Sequence, residues 1–201
     1  MSTGGDAPPM GVSLPKRYAA ACGFAGVVVW VALYAVAALA YAGYDPVRNY
    51  LSDLGHPAAA GNWAFNGGAV AAGLLFLPFA IGVGQVLRSH VGWAGSLLLF
   101  LAATSLILVG LLPEESPNNM HFLVSAAFFL LLTLGAAVLA IPLHRSKDFG
   151  AVSGLLSGAT VAGGIAFLAS GGQPLPEHIA VFVGLAWSIW NAGRMFGDPA
   201  T

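Results

Sequence analysis

The sequence predicts an all-α, polytopic membrane protein: a compact bundle of six transmembrane helices with both termini in the cytoplasm. Of its 201 residues, 58% are hydrophobic and only 7% are charged, whereas a soluble domain carries about 25% charged residues. So little charge cannot cover a water-facing surface, but it suits a chain whose solvent is mostly lipid. The net charge of -1 offers no basic surface for nucleic acid, so no such partner is expected.

The charged residues divide the chain into six uncharged stretches, and a span needs about 20 apolar residues. The first stretch, Tyr18–Tyr44, exceeds the about 7–15 residues of a signal-peptide core, so we expect it to stay in the membrane. The last stretch, between Glu177 and Arg194, is the shortest, and it can cross if the Arg194 side chain extends to the interface. Turn residues then place helices near 19–43, 63–87, 91–112, 121–143, 150–170 and 178–195.

This division gives a transmembrane domain at 18–196, between a disordered cytoplasmic tail at 1–17 and a short cytoplasmic tail at 197–201. Its orientation follows from lysine and arginine alone, which concentrate on the cytoplasmic side of membrane proteins. Only Arg48 lies on the opposite side of a six-span arrangement. The cations that share a side with both termini are Lys16, Arg17, Arg88, Arg145, Lys147 and Arg194.

The fifth predicted helix opens with a glycine at every fourth position, Gly150, Gly154 and Gly158. Small residues at this spacing form a groove into which another helix can press its backbone. The spacing predicts close helix packing and gives no information about a catalytic or binding function. Such a groove can also receive a helix from another chain, so a homo-oligomer or a membrane-protein partner stays an alternative.

Polar residues gather at the opposite, extracytoplasmic end of the predicted bundle. Three histidines with carboxylates are what a zinc hydrolase requires, with one position left open for an activated water. Asp53, His121 and His178 are therefore candidate metal ligands, and with His56 they are the catalytic candidates; no HExxH or HxxxH motif supports them. The alternative is a structural polar cluster, formed by Ser52, Asp53, Asn62, Asn66 and His121.

The stretch NYLSDLGHP, residues 49–57, is the densest polar segment. In one interpretation it is an ordinary loop, in which Ser52 or Asp53 caps a short turn, Gly55 supplies an unusual backbone angle and Pro57 ends the turn. In the other, Asp53 reaches into the bundle and bonds the starts of the second and fourth helices. The sequence does not separate the two.

NYLSDLGHP, followed by Asn62 and Phe65-Asn66-Gly67, resembles the domain-of-unknown-function 998 family of bacterial and archaeal membrane proteins. The stretch 109–113, VGLLP, with His121 is similar to the same family's "GlFP…H" element. More distantly, Ser52-Asp53 resembles the "ISD" element of the Frag/DRAM/Sfk membrane proteins, whose members are linked to lipid remodelling. The resemblance implies the fold and a prokaryotic cell membrane, and no agreed activity.

The expected function is therefore non-enzymatic: a six-span protein that binds or organises membrane lipids, or that scaffolds a partner. No cofactor is expected on this interpretation. The first alternative is a metal-assisted hydrolase or lipid-modifying enzyme at the extracytoplasmic face, with zinc as its cofactor. The alkaline-ceramidase-like hydrolases, which bind zinc at such a face, are a comparison, but they have seven spans. The second alternative is a small-molecule transporter.

Overall fold

The computed structural model of the chain describes residues 14–197. These residues form α-helices, two short 3-10 turns and loops, with no strand among them, and the all-α prediction is confirmed. All six helices are long and apolar enough to cross a membrane. The helices are α1 (Lys16–Ala40), α2 (Asn62–Leu87), α3 (His90–Leu111), α4 (Met120–Arg145), α5 (Ala151–Ala169) and α6 (Pro174–Phe196).

The helix ends differ from the predicted ends mainly in α1 and α6. α1 begins at Lys16, inside the predicted tail 1–17; residues 1–13 and 198–201 of the two predicted tails lie outside the described residues. α6 begins at Pro174, because proline suits the first turn of a helix, where its missing N–H costs nothing. With 23 residues, α6 has the length to cross without help from Arg194.

The helices form a closed ring in chain order. Each helix packs on the next one, and α6 packs on α1. Four of the five connections are short, as in antiparallel helix bundles, and the first, 41–61, is long. We call the end with loops 41–61, 112–119 and 170–173 the hairpin end, and the end with both helix-bundle termini the terminal end. Buried apolar side chains fill the ring along its length, from Leu54 and Phe65 near the hairpin end to Trp187 and Met195 toward the terminal end.

Ionic and backbone contacts close the ring at the terminal end. Lys16 Nζ lies 2.8 Å from Asp148 Oδ1, and Arg194 Nε donates to the Asp148 carbonyl at 3.0 Å. The start of α1, the end of α6 and the loop between α4 and α5 thus meet at one residue.

The glycines of α5 pack differently from the predicted groove. Gly150 precedes the helix with a φ of +83°, and Gly158 faces open space. Gly154 alone of this series lies in a close contact, where a Cβ would meet His144 of α4. The tightest approach is farther along, at Gly164, where a Cβ would overlap Thr133 of α4. A repeat of glycines shows that close packing is possible, but the rotation of the helix decides which glycines face a neighbour.

Candidate functional site

A cavity of about 100 Å³ lies inside the ring, between α1, α2, α3, α4 and α6. Most of its wall is aromatic or aliphatic, with Trp30, Phe79, Phe128 and Leu185 among the lining residues. Its polar lining residues are Ser52, His121, Ser125, Glu177 and Ser188. All of these except Ser188 lie toward the hairpin end. The cavity is therefore polar at that end and mostly apolar elsewhere.

The NYLSDLGHP loop folds inward and covers the hairpin end. Leu51 is 3% exposed and Leu54 is not exposed, so both side chains belong to the core. Between them begins the 3-10 turn Ser52–Gly55. Asp53 Oδ2 accepts bonds from the Tyr50 N–H at 3.0 Å and the Asn49 amide at 3.1 Å. Asp53 therefore bonds to residues just before its own turn, which lacks the expected side-chain cap. Within residues 14–197 its bonds do not extend to α2 or α4.

Other side chains hold this loop to the helices. Asn66 Nδ2 donates to the Gly55 carbonyl and Asn62 Nδ2 to the Pro57 carbonyl, both at 2.9 Å. Gly55 does not have the expected unusual backbone angle. It is glycine because a Cβ there would overlap Asn66 Oδ1 and the Phe65 ring. Asn62 and Asn66 thus bind loop backbone. Among the described residues, the members of the predicted polar cluster form no hydrogen bond to one another.

Glu177 forms the third attachment of the loop. Its side chain lies in the first turn of α6 and is buried, with the residue 8% exposed. Its Oε2 accepts the Leu51 N–H at 2.9 Å. The ion pairs formed within residues 14–197 do not include it, so a carboxyl group without a cation lies at the polar end of the cavity.

His178 is buried, at 4% exposed, and both of its ring nitrogens are bonded. Nδ1 lies 2.8 Å from the Pro174 carbonyl, and Nε2 lies 2.6 Å from Tyr44 Oη. Because a carbonyl only accepts, Nδ1 carries the proton, and Nε2 accepts from the phenol. Burial raises the pKa of Tyr44 well above its ordinary value. His178 therefore ties loop 41–61 to α6 and does not line the cavity.

His121 has the same pattern but faces the cavity. Its Nδ1 lies 2.6 Å from the Leu112 carbonyl at the end of α3. The proton is again on Nδ1, which leaves Nε2 as an acceptor. Nε2 lies 3.4 Å from Ser125 Oγ, one helical turn further along α4. The cavity thus has a serine hydroxyl paired with an imidazole in its wall.

His56 lies apart from this arrangement, at the surface of the hairpin end. Its Nδ1 accepts the Ala58 N–H at 3.1 Å, and its Nε2 lies 3.3 Å from Glu115 Oε1. The Glu115 side chain is 64% exposed. This pair is a solvated contact between two loops.

The predicted zinc ligands do not converge. Among residues 14–197 there is no group of three histidine, cysteine, aspartate or glutamate side chains that could hold a metal ion. Asp53 is committed to its own loop, and His178 is committed to Tyr44. The structure therefore separates the three residues of the proposed metal site into three different roles.

Sequence reasoning missed two residues of the cavity wall. These are Ser125 and Glu177, to which the sequence analysis assigned no role. For Ser125 a signal existed, because residues four apart on a helix face the same direction, and His121 is four residues earlier. For Glu177 no such signal existed, because its direction depends on how α6 is rotated in the bundle.

The fold and the site define a six-span helical membrane protein with a covered internal cavity. The chain belongs to the family described as Protein of unknown function (DUF998), whose sequence profile matches residues 24–193. The match runs from α1 to α6 and confirms the first resemblance; the likeness to the Frag/DRAM/Sfk proteins stays a prediction. No curated protein and no solved structure matches the chain.

Proposed function

We propose that this protein binds membrane lipid, and that it takes a segment of a lipid hydrocarbon chain into its central cavity. The cavity itself is the observation that supports this function. Aromatic and aliphatic side chains form most of the wall, and the polar residues Ser52, His121, Ser125 and Glu177 lie at the hairpin end. This separation of polar and apolar surface matches a lipid linkage and the carbons next to it.

The size of the cavity sets what part of a lipid it holds. An engineered apolar cavity of about 150 Å³ stays free of water and binds benzene, and this cavity measures about 100 Å³. It therefore takes a short chain segment, and the rest of the lipid lies outside the ring. Displacing such a chain from bulk lipid gains little hydrophobic energy, so selectivity comes from packing and from the polar end.

We also infer that both termini are cytoplasmic, so that the polar end of the cavity lies toward the extracytoplasmic side of the membrane. The distribution of lysine and arginine supports this orientation. Lys16 and Arg194 lie together at the terminal end, around Asp148. Arg48 is the exception at the hairpin end, where it lies 3.4 Å from Asp45.

A photoreactive lipid tests the proposal. The full chain is reconstituted in bilayers that contain a phospholipid with a diazirine on its acyl chain, irradiated and digested for mass spectrometry. We expect cross-links to cavity-lining residues such as Phe128, Leu132 and Val181. Cross-links confined to outward-facing side chains would overturn the proposal, because any membrane protein acquires those.

Two glycines provide a matched pair of variants. Gly184 lines the cavity, and a Cβ there would lie 3.2 Å from Leu132 Cδ2, a flexible side-chain end. Gly158 faces open space, with no atom within 4 Å of a Cβ. Gly184→Leu should fill the cavity and remove the internal cross-links, while Gly158→Leu should leave them. Equal internal cross-linking in both variants would show that the chain does not occupy the cavity.

A further inference from the structure

Ser125 differs from every other serine and threonine in the six helices. Each of the others donates its hydroxyl to a backbone carbonyl, which is the usual way to satisfy a hydroxyl inside a membrane. The Ser125 hydroxyl instead has the imidazole Nε2 of His121 as its partner. The hydroxyls bonded to carbonyls are those of Ser96, Thr104, Ser105, Thr133, Ser153, Ser157, Thr160 and Ser188.

The pair has the parts of an activated nucleophile. The Leu112 carbonyl, 2.6 Å from Nδ1, fixes the tautomer in which Nε2 is the base, and it orients the ring. The Oγ to Nε2 separation of 3.4 Å is looser than the about 2.6–3.2 Å of an engaged pair, as is common without a substrate. Both residues are half-buried, and both line the cavity. The Leu112 carbonyl, the His121 ring and the Ser125 hydroxyl are thus connected in this order.

We propose that Ser125 is an acyl-accepting nucleophile with His121 as its general base, and that the substrate is a carboxylic ester of a lipid. This inference rests on the proposed lipid-chain binding, because the cavity would hold the carbons next to the ester. The nearby Ser52 hydroxyl lines the same cavity and forms no hydrogen bond among the described residues, so it is available to the ester carbonyl oxygen.

The step balances with water or an alcohol as the second reactant. Ser125 Oγ bonds to the ester carbonyl carbon while its proton passes to His121 Nε2. The bond from that carbon to the alcohol oxygen breaks, and the alcohol leaves with the proton. Water or a second alcohol then gives a proton to Nε2 and takes the acyl group. The proton returns to Ser125, so the products are a carboxylic acid or a new ester.

A fluorophosphonate probe, which phosphonylates activated serines, tests this site on the full chain in lipid nanodiscs. We expect one adduct, on Ser125, located by peptide mass spectrometry. Ser125→Ala should abolish it, and His121→Gln should slow its formation by about 100-fold or more. Ser105→Ala is the matched control, because the Ser105 hydroxyl also lies in a membrane helix but donates to the Leu101 carbonyl and does not line the cavity; this variant should label as the wild type does.

Three results would overturn the inference: no adduct on the wild type, an adduct on a residue other than Ser125, or equal labelling rates in wild type and His121→Gln. p-Nitrophenyl butyrate supplies a second readout, since p-nitrophenol release should depend on Ser125 and not on Ser105. Ser125→Ala leaves the bond between His121 and Leu112 in place. Lipid cross-linking of this variant checks that it is folded.

The cross-linking experiment separates the two proposals. Internal cross-links without an adduct would overturn the nucleophile and leave lipid-chain binding in place. An adduct without internal cross-links would overturn lipid-chain binding and leave an activated serine.

Discussion

The backbone N–H of Leu51 donates to Oε2 of Glu177 at 2.9 Å, and so joins the first hairpin loop to α6 across 126 residues of chain. Leu51 is 3% exposed and Glu177 is 8% exposed. This buried bond closes the hairpin end of the ring where α6 returns to α1. It also brings Glu177 to the cavity.

Glu177→Ala should destabilise the protein more than Glu177→Gln. Alanine leaves the buried Leu51 N–H without an acceptor, which costs about 1–3 kcal/mol, whereas glutamine keeps a side-chain oxygen in place. Unfolding of the purified protein in detergent measures the difference. Glu115→Ala is the control, because that side chain is 64% exposed and its loss should change stability by less than about 0.5 kcal/mol. Equal stability of the alanine and glutamine variants would contradict this role for the bond.

Tyr44 should make stability depend on pH above the ordinary tyrosine range. Burial raises the pKa of its phenol above the usual 10.0. The unfolded chain therefore loses this proton first, and above pH 10 the folded state binds more protons than the unfolded one. Stability should fall as pH rises, by up to about 1.4 kcal/mol per pH unit.

Tyr44→Phe removes the titrating group, so we expect a shallower loss of stability between pH 10 and 11 than in the wild type. It also removes the bond to His178 Nε2, which lowers stability at neutral pH by about 0.5–1.5 kcal/mol. Unfolding measured at both pH values separates the two effects. If the stability of wild type and variant fell equally with pH, the raised pKa of the Tyr44 phenol would be refuted.

Gly164→Ala should destabilise the bundle, while Gly158→Ala should not. A Cβ at Gly164 would overlap Thr133, whose hydroxyl is held by the Phe129 carbonyl. Overpacking of this kind costs about 1–3 kcal/mol. Gly158 faces open space, so alanine there should gain helix propensity, about 0.5–1 kcal/mol. Thermal unfolding of the two variants checks the order, and a tolerated Gly164→Ala would show that α4 and α5 do not pack as described.

Cysteine labelling should report the orientation. The one native cysteine, Cys22, is 7% exposed and is first replaced by alanine. In intact cells, Ser116→Cys in the loop between α3 and α4 should react with a membrane-impermeant maleimide. Lys147→Cys, in the loop between α4 and α5, should react only after the cells are opened. The reverse pattern would place the termini outside.

Much of the fold was predictable because the lipid bilayer constrains the composition of every helix that crosses it. Apolar runs longer than about 20 residues are required of any helix that crosses a bilayer, so six helices could be placed from charges and turns alone. Boundaries were harder. α6 begins at Pro174, before the charged Glu177, because proline suits the first helical position and the helix dipole favours a carboxylate in the first turn.

The candidate site was predictable only in part. The polar residues of the hairpin end could be assigned to one side of the membrane, and they include Ser52, His121 and Glu177 of the cavity wall. Their contacts could not be assigned. Asp53 accepts bonds from Asn49 and Tyr50 of its own loop, and Asn62 and Asn66 hold the loop. Which partner a polar side chain finds depends on loop conformation, and 41–61 is a loop whose fold is set by Leu51 and Leu54 entering the core.

By itself the sequence determined the class of protein, the number of spans, which loops lie on the same side of the membrane, and the family. The first three follow from composition and from the spacing of charges, because a bilayer requires long apolar spans. The family follows from the motifs that resemble it. The tertiary structure decided which groups meet: Glu177 with Leu51, His178 with Tyr44, and His121 with Ser125. The first two contacts need helix rotations and loop paths that packing of the whole ring sets. The third lies within one helix, but only the ring turns it toward a cavity.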